Sequence, residues 1–238
     1  MQYSEIDKLA QGLRAELGIH PEDPIADPLT VIESAGIGVF MKPFPDTMFD
    51  GAYACRGNRC VILLNSAQYQ PRIHFTAAHE LGHHVLGHGS RLDLDIYSSP
   101  QQPEKDANAF AAQFLMPAAS LKASTPIKGA DGTKVLRLAI KFGVSYEAMA
   151  NRLNNVGVIS KLQRQELLAD RWQALTQDVR DRRPGQERRL PVEYTERALR
   201  AYCEYRISLD RLAEILEETR EEVGGQLTKS GLLNPEDA

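Results

Sequence analysis

The chain has 238 residues, 42% hydrophobic and 25% charged, so it can bury a sizeable core and is expected to be globular. A formal net charge of −4 argues against broad electrostatic attachment to nucleic acid, although it leaves room for a local basic face. No apolar run approaches the roughly 20 residues of a membrane span, and residues 1–19 carry acids where a signal peptide is apolar. We therefore expect a cytoplasmic protein.

The first part of the chain predicts two helices followed by three strands. Apolar residues recur at helical spacing in two segments, residues 4–17 and 29–35. Short runs rich in strand-forming residues follow at 37–41, 50–56 and 59–64. We predict an α+β fold with a small antiparallel or mixed sheet. An edge strand of such a sheet can pair with an extended peptide through backbone hydrogen bonds.

A hairpin is predicted between the second and third strands. A two-residue turn at Gly57 and Asn58 would place Cys55 opposite Cys60 in a non-hydrogen-bonded pair. A cross-strand disulfide is geometrically conceivable there. The favoured interpretation is two reduced thiols, because the cytosol is reducing. Cys203 is isolated, so the three cysteines do not form a disulfide framework.

The segment His-Glu-Leu-Gly-His at residues 79–83 carries the strongest chemical signal. Residues 72–86 contain no proline and have an apolar face, which predicts a helix. Because residues i and i+4 share one helix face, His79 and His83 can bind one metal ion. Glu80 is then placed to act as a base on water at that metal. This is the HExxH pattern of zinc peptidases.

A third protein ligand is expected, because catalytic zinc usually takes three and leaves one position for water. Residues 104–108 open a second apolar helix that Pro117 closes. Glu104 is the candidate third ligand. Asn108, one turn later, is a candidate acceptor for the N–H of a ligand histidine. Asp106 is a rival ligand, although it falls on a different side of the helix.

Four further side chains lie near the motif in the sequence. His74 and His84 do not closely share the ligand face, so a structural or solvent role is favoured for both. His88 lies beyond the predicted end of the helix, and its place stays open. Tyr97, between the two motif helices, is a candidate for stabilising the oxyanion of a tetrahedral intermediate.

The two motif segments, FTAAHELGHHVLGH and EKDANAFAAQFLMP, resemble those of the ImmA/IrrE family of bacterial metallopeptidases. The family patterns are FTxAHELGH and ExxANxFAAxLLMP. Phe114 stands where leucine is commoner and Asp106 where glutamate is commoner, and neither is a presumed metal or base position. The likeness is specific over residues 37–117 and looser outside them.

That resemblance implies particular roles for the motif residues. His79, His83 and Glu104 would be the metal ligands, and Glu80 the catalytic base. Such enzymes typically cut a partner transcriptional repressor. Family members of the radiation-response type carry a further sensor domain at the C-terminus, which the helical tail of this chain does not resemble.

A helix-turn-helix pattern is predicted after the motif helices. Residues 118–132 are rich in small residues, glycine and proline and predict a connection. Residues 133–155 then place Ala139 in a first helix, Gly143 at the turn and Met149 in a second helix. Two interpretations stay open, DNA contact through the second helix and a compact helical unit packed on the peptidase.

The charge of residues 133–165 helps to choose between DNA contact and a packed helical unit. Residues 133–165 hold six basic residues and one acid, so a local basic face is conceivable. The predicted recognition helix, residues 146–153, nevertheless carries Arg152 as its sole cation. For that reason, and because the family resemblance places a module of this kind after the peptidase, the packed helical unit is favoured.

The C-terminal part predicts a long helix over 161–180, a charged linker, and a second helix-turn-helix rhythm from 195 onward. Ala213 and Val223 occupy the expected apolar positions, but Glu217 stands where the turn glycine should be. Residues 209–228 contain six acids against two arginines, which would repel a phosphate backbone. We predict a module that contacts protein.

These observations predict a zincin-like peptidase domain at 1–125, a helix-turn-helix-like module at 126–182 and a C-terminal helical module at 190–238. The predicted function is a zinc-dependent endopeptidase that cleaves a regulatory protein, namely a helix-turn-helix repressor, and manganese stays open as a substitute for zinc. The alternative is an antitoxin-like transcription regulator that binds DNA or protein, in which the metal site is structural.

Overall fold

The computed structural model describes residues 1–44, 49–89, 102–124, 131–169 and 189–237, and the backbone of 91–92. The chain forms two compact units, Met1–Arg189 and Leu190–Ala238. Each unit has its own cluster of buried apolar side chains. Within the described ranges, no helix combines the length and the apolar character that crossing a membrane requires.

A mixed four-stranded sheet lies in the first unit. Its strands are β1 (Ile37–Lys42), β2 (Gly51–Arg56), β3 (Arg59–Asn65) and the short β4 (Arg91–Leu92). The spatial order is β1-β3-β2-β4, with β1 parallel to β3 and the other two pairings antiparallel. Ile62 and Leu64 of β3 are fully buried, as alternation along a strand with one core face requires. The α+β class and the mixed sheet are confirmed.

The predicted hairpin forms at Gly57 and Asn58, because β2 and β3 pair Arg56 with Arg59. Gly57 has a φ of +61°, which glycine adopts without steric cost at the first turn position. Cys55 and Cys60 are directly opposite, with Cα atoms 4.1 Å apart, and are joined by a disulfide. The favoured interpretation of two reduced thiols is therefore corrected.

Eight helices are described in the first unit. They are α1 (Tyr3–Glu16), α2 (Pro28–Ser34), α3 (Gln70–Val85), α4 (Gln102–Leu115), α5 (Ala118–Ser124), α6 (Gly132–Lys141), α7 (Tyr146–Asn155) and α8 (Lys161–Ala169). The remainder of the helix predicted over 161–180 lies outside the described residues. The turn between α6 and α7 has Gly143 at a φ of +62°, at the predicted position.

Helix α5 is a correction to the connection predicted over 118–132. Leu121 is fully buried, and the Ser120 hydroxyl donates to the backbone carbonyl of Glu22 at 2.7 Å. These two contacts hold one short helix against the first unit. A composition of small and polar residues indicated a loop, but tertiary packing overrides such weak local preferences.

One core joins the motif helices to α6 and α7. Phe110 and Phe114 of α4 belong to the same buried cluster as Phe142 and Met149. The segments predicted as separate modules, 1–125 and 126–182, thus contribute to a single core in the part of the chain that the structure describes.

Two buried arginines hold the C-terminal end of α4. Arg14 of α1 donates to the carbonyl of Phe114 at 2.7 Å, and Arg152 of α7 donates through Nε to the carbonyl of Met116 at 2.8 Å. Arg152 also donates to the Tyr3 hydroxyl. Carbonyls at a helix end lack hydrogen-bond donors within the helix, and an unpaired buried carbonyl lowers the stability of the fold. The two guanidinium groups supply the missing donors.

The second unit is a three-helix arrangement made of α9 (Val192–Cys203), α10 (Leu209–Leu216) and α11 (Arg220–Ser230). Ala213 and Val223 are buried at the predicted apolar positions. Glu217, where glycine was expected, takes the left-handed conformation with a φ of +59°. The turn therefore forms at the predicted place with a non-glycine residue, at some conformational cost.

Candidate metal centre

Helix α3 carries His79 and His83 on its buried face. His79 is 9% exposed and His83 is fully buried, and their Nε2 atoms lie 3.0 Å apart. Pro71 lies in the first turn of the helix, where its missing N–H costs nothing. The two imidazoles thus point to one place, as the spacing of four residues predicts.

Helix α4 brings Glu104 to the same place. Its Oε2 lies 3.2 Å from His79 Nε2 and 3.4 Å from His83 Nε2. One potential ligand atom from each of these three residues falls within 4.8 Å of the other two. Asp106, the rival ligand, is outside this group, and its carboxylate accepts from the Gln102 amide at 2.7 Å.

Gly82 allows α3 and α4 to approach closely. A Cβ added at Gly82 would lie 3.1 Å from the Ala107 carbonyl oxygen and 3.2 Å from Phe110 Cδ1. These distances are tighter than ordinary van der Waals contact, so a larger residue would push the helices apart. The glycine inside the histidine motif therefore helps to position Glu104.

The surroundings of the imidazoles suit metal binding. His79 Nδ1 lies 3.1 Å from the Asn108 side-chain oxygen, which can accept the Nδ1–H and so leaves the Nε2 lone pair directed at the cluster. The tautomer is assigned from this contact. Two imidazole nitrogens and one carboxylate oxygen in a largely buried place are the donor set of a catalytic zinc ion. The residues present fit such an ion.

His88 is a site residue whose position the sequence left open. Its Nδ1 lies 3.1 Å from His83 Nδ1. His88 is therefore the polar partner of the His83 ring, in the same way that Asn108 is the polar partner of the His79 ring. Gly87, with a φ of +68°, turns the chain back after α3, and the backbone N–H of His88 donates to the carbonyl of His83 at 3.0 Å. A glycine directly after the helix is the signal that could have indicated this return.

Glu80 lies where β2 meets α3. Its side chain is 1% exposed. A Cβ added at Gly51, the first residue of β2, would lie 2.5 Å from Thr76 Cγ2 and 3.2 Å from Glu80 Oε1. A side chain at that position would displace the Glu80 carboxylate, so glycine fits the close approach of strand and helix.

The other two histidines of α3 lie outside the cluster. His74 is 7% exposed, and burial lowers the pKa of its imidazole. His84 is exposed, with its Nδ1 2.7 Å from the Tyr53 hydroxyl oxygen, and desolvation lowers its pKa. Burial raises the pKa of Tyr53. Tyr97, the candidate oxyanion stabiliser, lies outside the described residues.

A mixed sheet, two histidines on one helix and a glutamate from a second helix together form a candidate three-ligand metal centre. Comparison with known proteins agrees with such a centre. The family model described as Peptidase M78, IrrE N-terminal-like domain, matches residues 32–154, which is more than half of the chain. The chain belongs to this family, and the predicted ImmA/IrrE resemblance is confirmed.

A curated relative supports the same assignment. The radiation response metalloprotease IrrE of Deinococcus radiodurans is 36% identical over 118 residues. The match covers 47% of this chain and 35% of that protein, so the chain aligns with only about a third of the relative's length. A metallopeptidase family implies a metal, for which His79, His83 and Glu104 are the candidate ligands.

Proposed function

We propose that this chain is a zinc-dependent endopeptidase in which His79, His83 and Glu104 bind the metal and Glu80 is the catalytic base. One observation carries the proposal. The Glu104 carboxylate lies 3.2 and 3.4 Å from two imidazole nitrogens on the helix that also presents Glu80. Three protein ligands with a carboxylate beside them are the arrangement of a hydrolytic site.

The protein side chains have distinct tasks in this reaction. Zinc, when bound, would lower the pKa of a coordinated water toward neutrality and polarise a peptide carbonyl. Glu80 accepts the proton of the attacking water and passes it to the leaving amine. Asn108 and His88 hold the two ligand imidazoles in orientation. The Glu80 side chain is buried, which keeps bulk water away from its carboxylate.

The substrate class is proposed from the family resemblance. We expect a regulatory protein, specifically a helix-turn-helix transcriptional repressor. The matched relative is a radiation response metalloprotease, and a role in a stress response is proposed for this chain by that likeness. Fold and family alone do not set a substrate, so cleavage must be measured with the candidate protein.

Two observations weigh against the alternative of a DNA-binding regulator with a structural metal site. Arg152, the sole cation of α7, is 1% exposed and donates to a backbone carbonyl, so it cannot reach a phosphate. Tyr146, Met149, Ala150 and Leu153 of the same helix are buried too. The exposed positions of this helix, Glu147 and Asn155, carry no positive charge that could contact a phosphate.

The proposal is tested by comparing wild type with Glu80→Gln. Each protein is loaded with zinc, assayed for metal, and incubated with a candidate helix-turn-helix repressor. Glu80→Gln should retain one zinc per chain while cleavage falls by about 10²–10⁴-fold, the usual loss for a general base. Glu16→Gln, the same change at an exposed position of α1, should cleave normally. Undiminished cleavage by Glu80→Gln would refute the assignment of the base.

A further inference from the structure

A second group of metal-ligating side chains lies where the β2–β3 hairpin meets α3. One ligand atom each from Cys55, Cys60 and His84 falls within 4.8 Å of the other two. None of these residues belongs to the centre formed by His79, His83 and Glu104. Cys55 and Cys60 are partly buried and His84 is exposed, so a cation can reach the group from solvent.

The geometry of this group is set by paired backbone and by one tyrosine. Cys55 and Cys60 are opposite partners in the β2–β3 ladder, which fixes both sulfurs on one side of the hairpin. The Tyr53 hydroxyl oxygen lies 2.7 Å from His84 Nδ1 and 3.6 Å from Cys60 Sγ. Tyr53 is 4% exposed, so packing holds its ring in place. Its hydroxyl therefore orients the imidazole next to the sulfurs.

We propose that Cys55, Cys60 and His84 form a second metal site, which becomes available when the disulfide between the two cysteines is reduced. Two thiolates and one imidazole are the donor set preferred by zinc, cadmium and copper(I). The first centre has nitrogen and oxygen donors only. The two sites therefore differ in chemistry, and the second alone can form metal–sulfur bonds.

Reduction opens the site by an exchange whose atoms and electrons balance. A dithiol reductant supplies two electrons and two protons, the bond between Cys55 Sγ and Cys60 Sγ breaks, and the reductant becomes a disulfide. Each cysteine then carries a thiol. When a divalent cation binds, both thiols release their protons and the two thiolates neutralise the charge of the cation. Oxidation by a disulfide-forming partner reverses these steps and expels the metal.

The site adjoins the proposed catalytic centre along the chain. His84 directly follows His83 on α3, and His83 is fully buried while His84 faces outward. A metal held by His84 would tie the tip of the hairpin to the helix that carries the catalytic motif. The proposal concerns binding alone, so it stands or falls independently of whether the protein is a peptidase.

Cadmium is the probe that tests the site, because thiolate-to-cadmium charge transfer gives an ultraviolet absorption that the first centre cannot produce. The 238-residue protein carries Cys203→Ser to remove its exposed free thiol. Its first centre is filled with one equivalent of zinc. One sample is reduced with a dithiol that is then removed without oxygen, and a matched sample stays oxidised. Both are titrated with cadmium.

The reduced protein should bind one further cadmium per chain and develop the charge-transfer absorption, and the oxidised protein should show neither. Replacing both Cys55 and Cys60 with serine should abolish the absorption. The proposal is overturned if the reduced protein, with two thiols verified by titration, shows no absorption. It is equally overturned if dithiols cannot release those thiols, or if the oxidised sample gives the same signal.

Two substitutions test the third ligand and its support. Loss of an outer partner typically costs roughly 10–100-fold in metal affinity, so His84→Phe, which removes a direct ligand, should weaken cadmium binding by at least about tenfold. Tyr53→Phe keeps all three ligands and should cause a smaller loss. Retained zinc at the first centre verifies folding in both variants. Unchanged affinity in His84→Phe would overturn the three-ligand site.

Discussion

At the scale of single residues, both imidazoles of the candidate centre have a polar partner at Nδ1. Asn108 lies 3.1 Å from His79 Nδ1, and His88 lies 3.1 Å from His83 Nδ1. Such partners fix the tautomer and raise the basicity of the ligand nitrogen. They orient the Nε2 atoms of both rings toward the place where Glu104 Oε2 lies.

Replacing Asn108 tests this role. Asn108→Ala should lower zinc affinity by about 10–100-fold, because the His79 ring loses its hydrogen-bond acceptor. Asn108→Asp, which keeps an acceptor oxygen, should restore most of it. Competition with a chromophoric chelator measures the affinity. Asn155→Ala, at an exposed position of α7, is the matched control. Equal affinities for Asn108→Ala and wild type would remove Asn108 from the site.

His74 should make stability depend on pH. Burial lowers the pKa of its imidazole, and the opposing charge of Asp27 does not outweigh burial. The folded protein therefore binds this proton less readily than the unfolded chain, whose histidine pKa is about 6.5. The free energy of unfolding contributed by His74 is complete above that value. It decreases as pH falls from about 6.5 toward the lowered pKa of the folded state.

His74→Gln should flatten this dependence, since glutamine does not titrate. Urea unfolding of the metal-free proteins between about pH 5 and pH 7 spans the titration of an ordinary histidine. The wild type should lose more stability than the variant as pH decreases, and the stabilities of the two proteins should change in parallel near pH 7. Parallel curves for the two proteins would show that His74 is equally protonated in the folded and unfolded states.

Residue types at fixed spacing made most of the candidate centre predictable. Two histidines one helical turn apart and Glu104 and Asn108 on the following helix are brought together by the structure. His88 was not placed, because its position depends on how the chain turns after Gly87. The burial of Arg152 was also unpredictable, since an arginine is seldom buried and only the tertiary fold supplies its carbonyl partners.

At the scale of elements, the centre depends on the contact between α3 and α4. Two of its candidate ligands come from α3 and the third comes from α4. Gly82 lies in this contact, where an added Cβ would meet Ala107 and Phe110. The separation of the two helices therefore sets the distance from Glu104 to the imidazoles.

Gly82→Ala should increase that separation by a few tenths of an ångström. Overpacking of this kind should lower the free energy of unfolding by about 1–3 kcal/mol, and zinc affinity should decrease with it. Gly12→Ala is the matched control, because nothing lies within 4 Å of a Cβ added at Gly12 of α1. That control should gain up to about 1 kcal/mol and bind zinc normally. Tighter zinc binding by Gly82→Ala would contradict this account of the helix contact.

Helix and strand positions were predictable where periodicity was strong. The strands predicted at 37–41, 50–56 and 59–64 form with shifts of one residue at their ends. Helix α5 was missed because its seven residues carry no repeated apolar pattern, and long-range contacts of Ser120 and Leu121 stabilise it. Short elements that depend on tertiary packing leave little trace in the local sequence.

At the scale of the whole molecule, the two units have separate cores. The first contains the sheet and the candidate centre, and the second is built around residues such as Tyr202 and Leu212. The three helices of the second unit and the excess of acidic residues over residues 209–228 are compatible with the predicted protein-contact role. That role stays a prediction. The sequence favoured a helical unit packed on the first part of the chain, and the core that α6 and α7 share with α4 agrees with that interpretation. The residues that make this contact were not predictable, because they are distant in the sequence.

Leu212→Ala tests the independence of the cores. Leu212 is fully buried, and truncating a buried leucine to alanine lowers the free energy of unfolding by about 2–5 kcal/mol. A small unit has little stability to lose, so this change should unfold it. Hydrogen exchange should increase in residues 190–237 while zinc affinity and exchange in α3 and α4 stay unchanged. A parallel loss of zinc affinity would show that the metal centre depends on the second unit.

The central claim is that Glu80 acts at a zinc centre to cleave protein. The most direct measurement is mass spectrometry of new N-termini in a native protein extract of the source organism. The extract is incubated with zinc-loaded wild type or with zinc-loaded Glu80→Gln. The account predicts new N-termini with wild type alone, concentrated in few proteins and including a helix-turn-helix repressor. The same N-termini with both proteins, or none with a wild type that holds one zinc per chain, would contradict it.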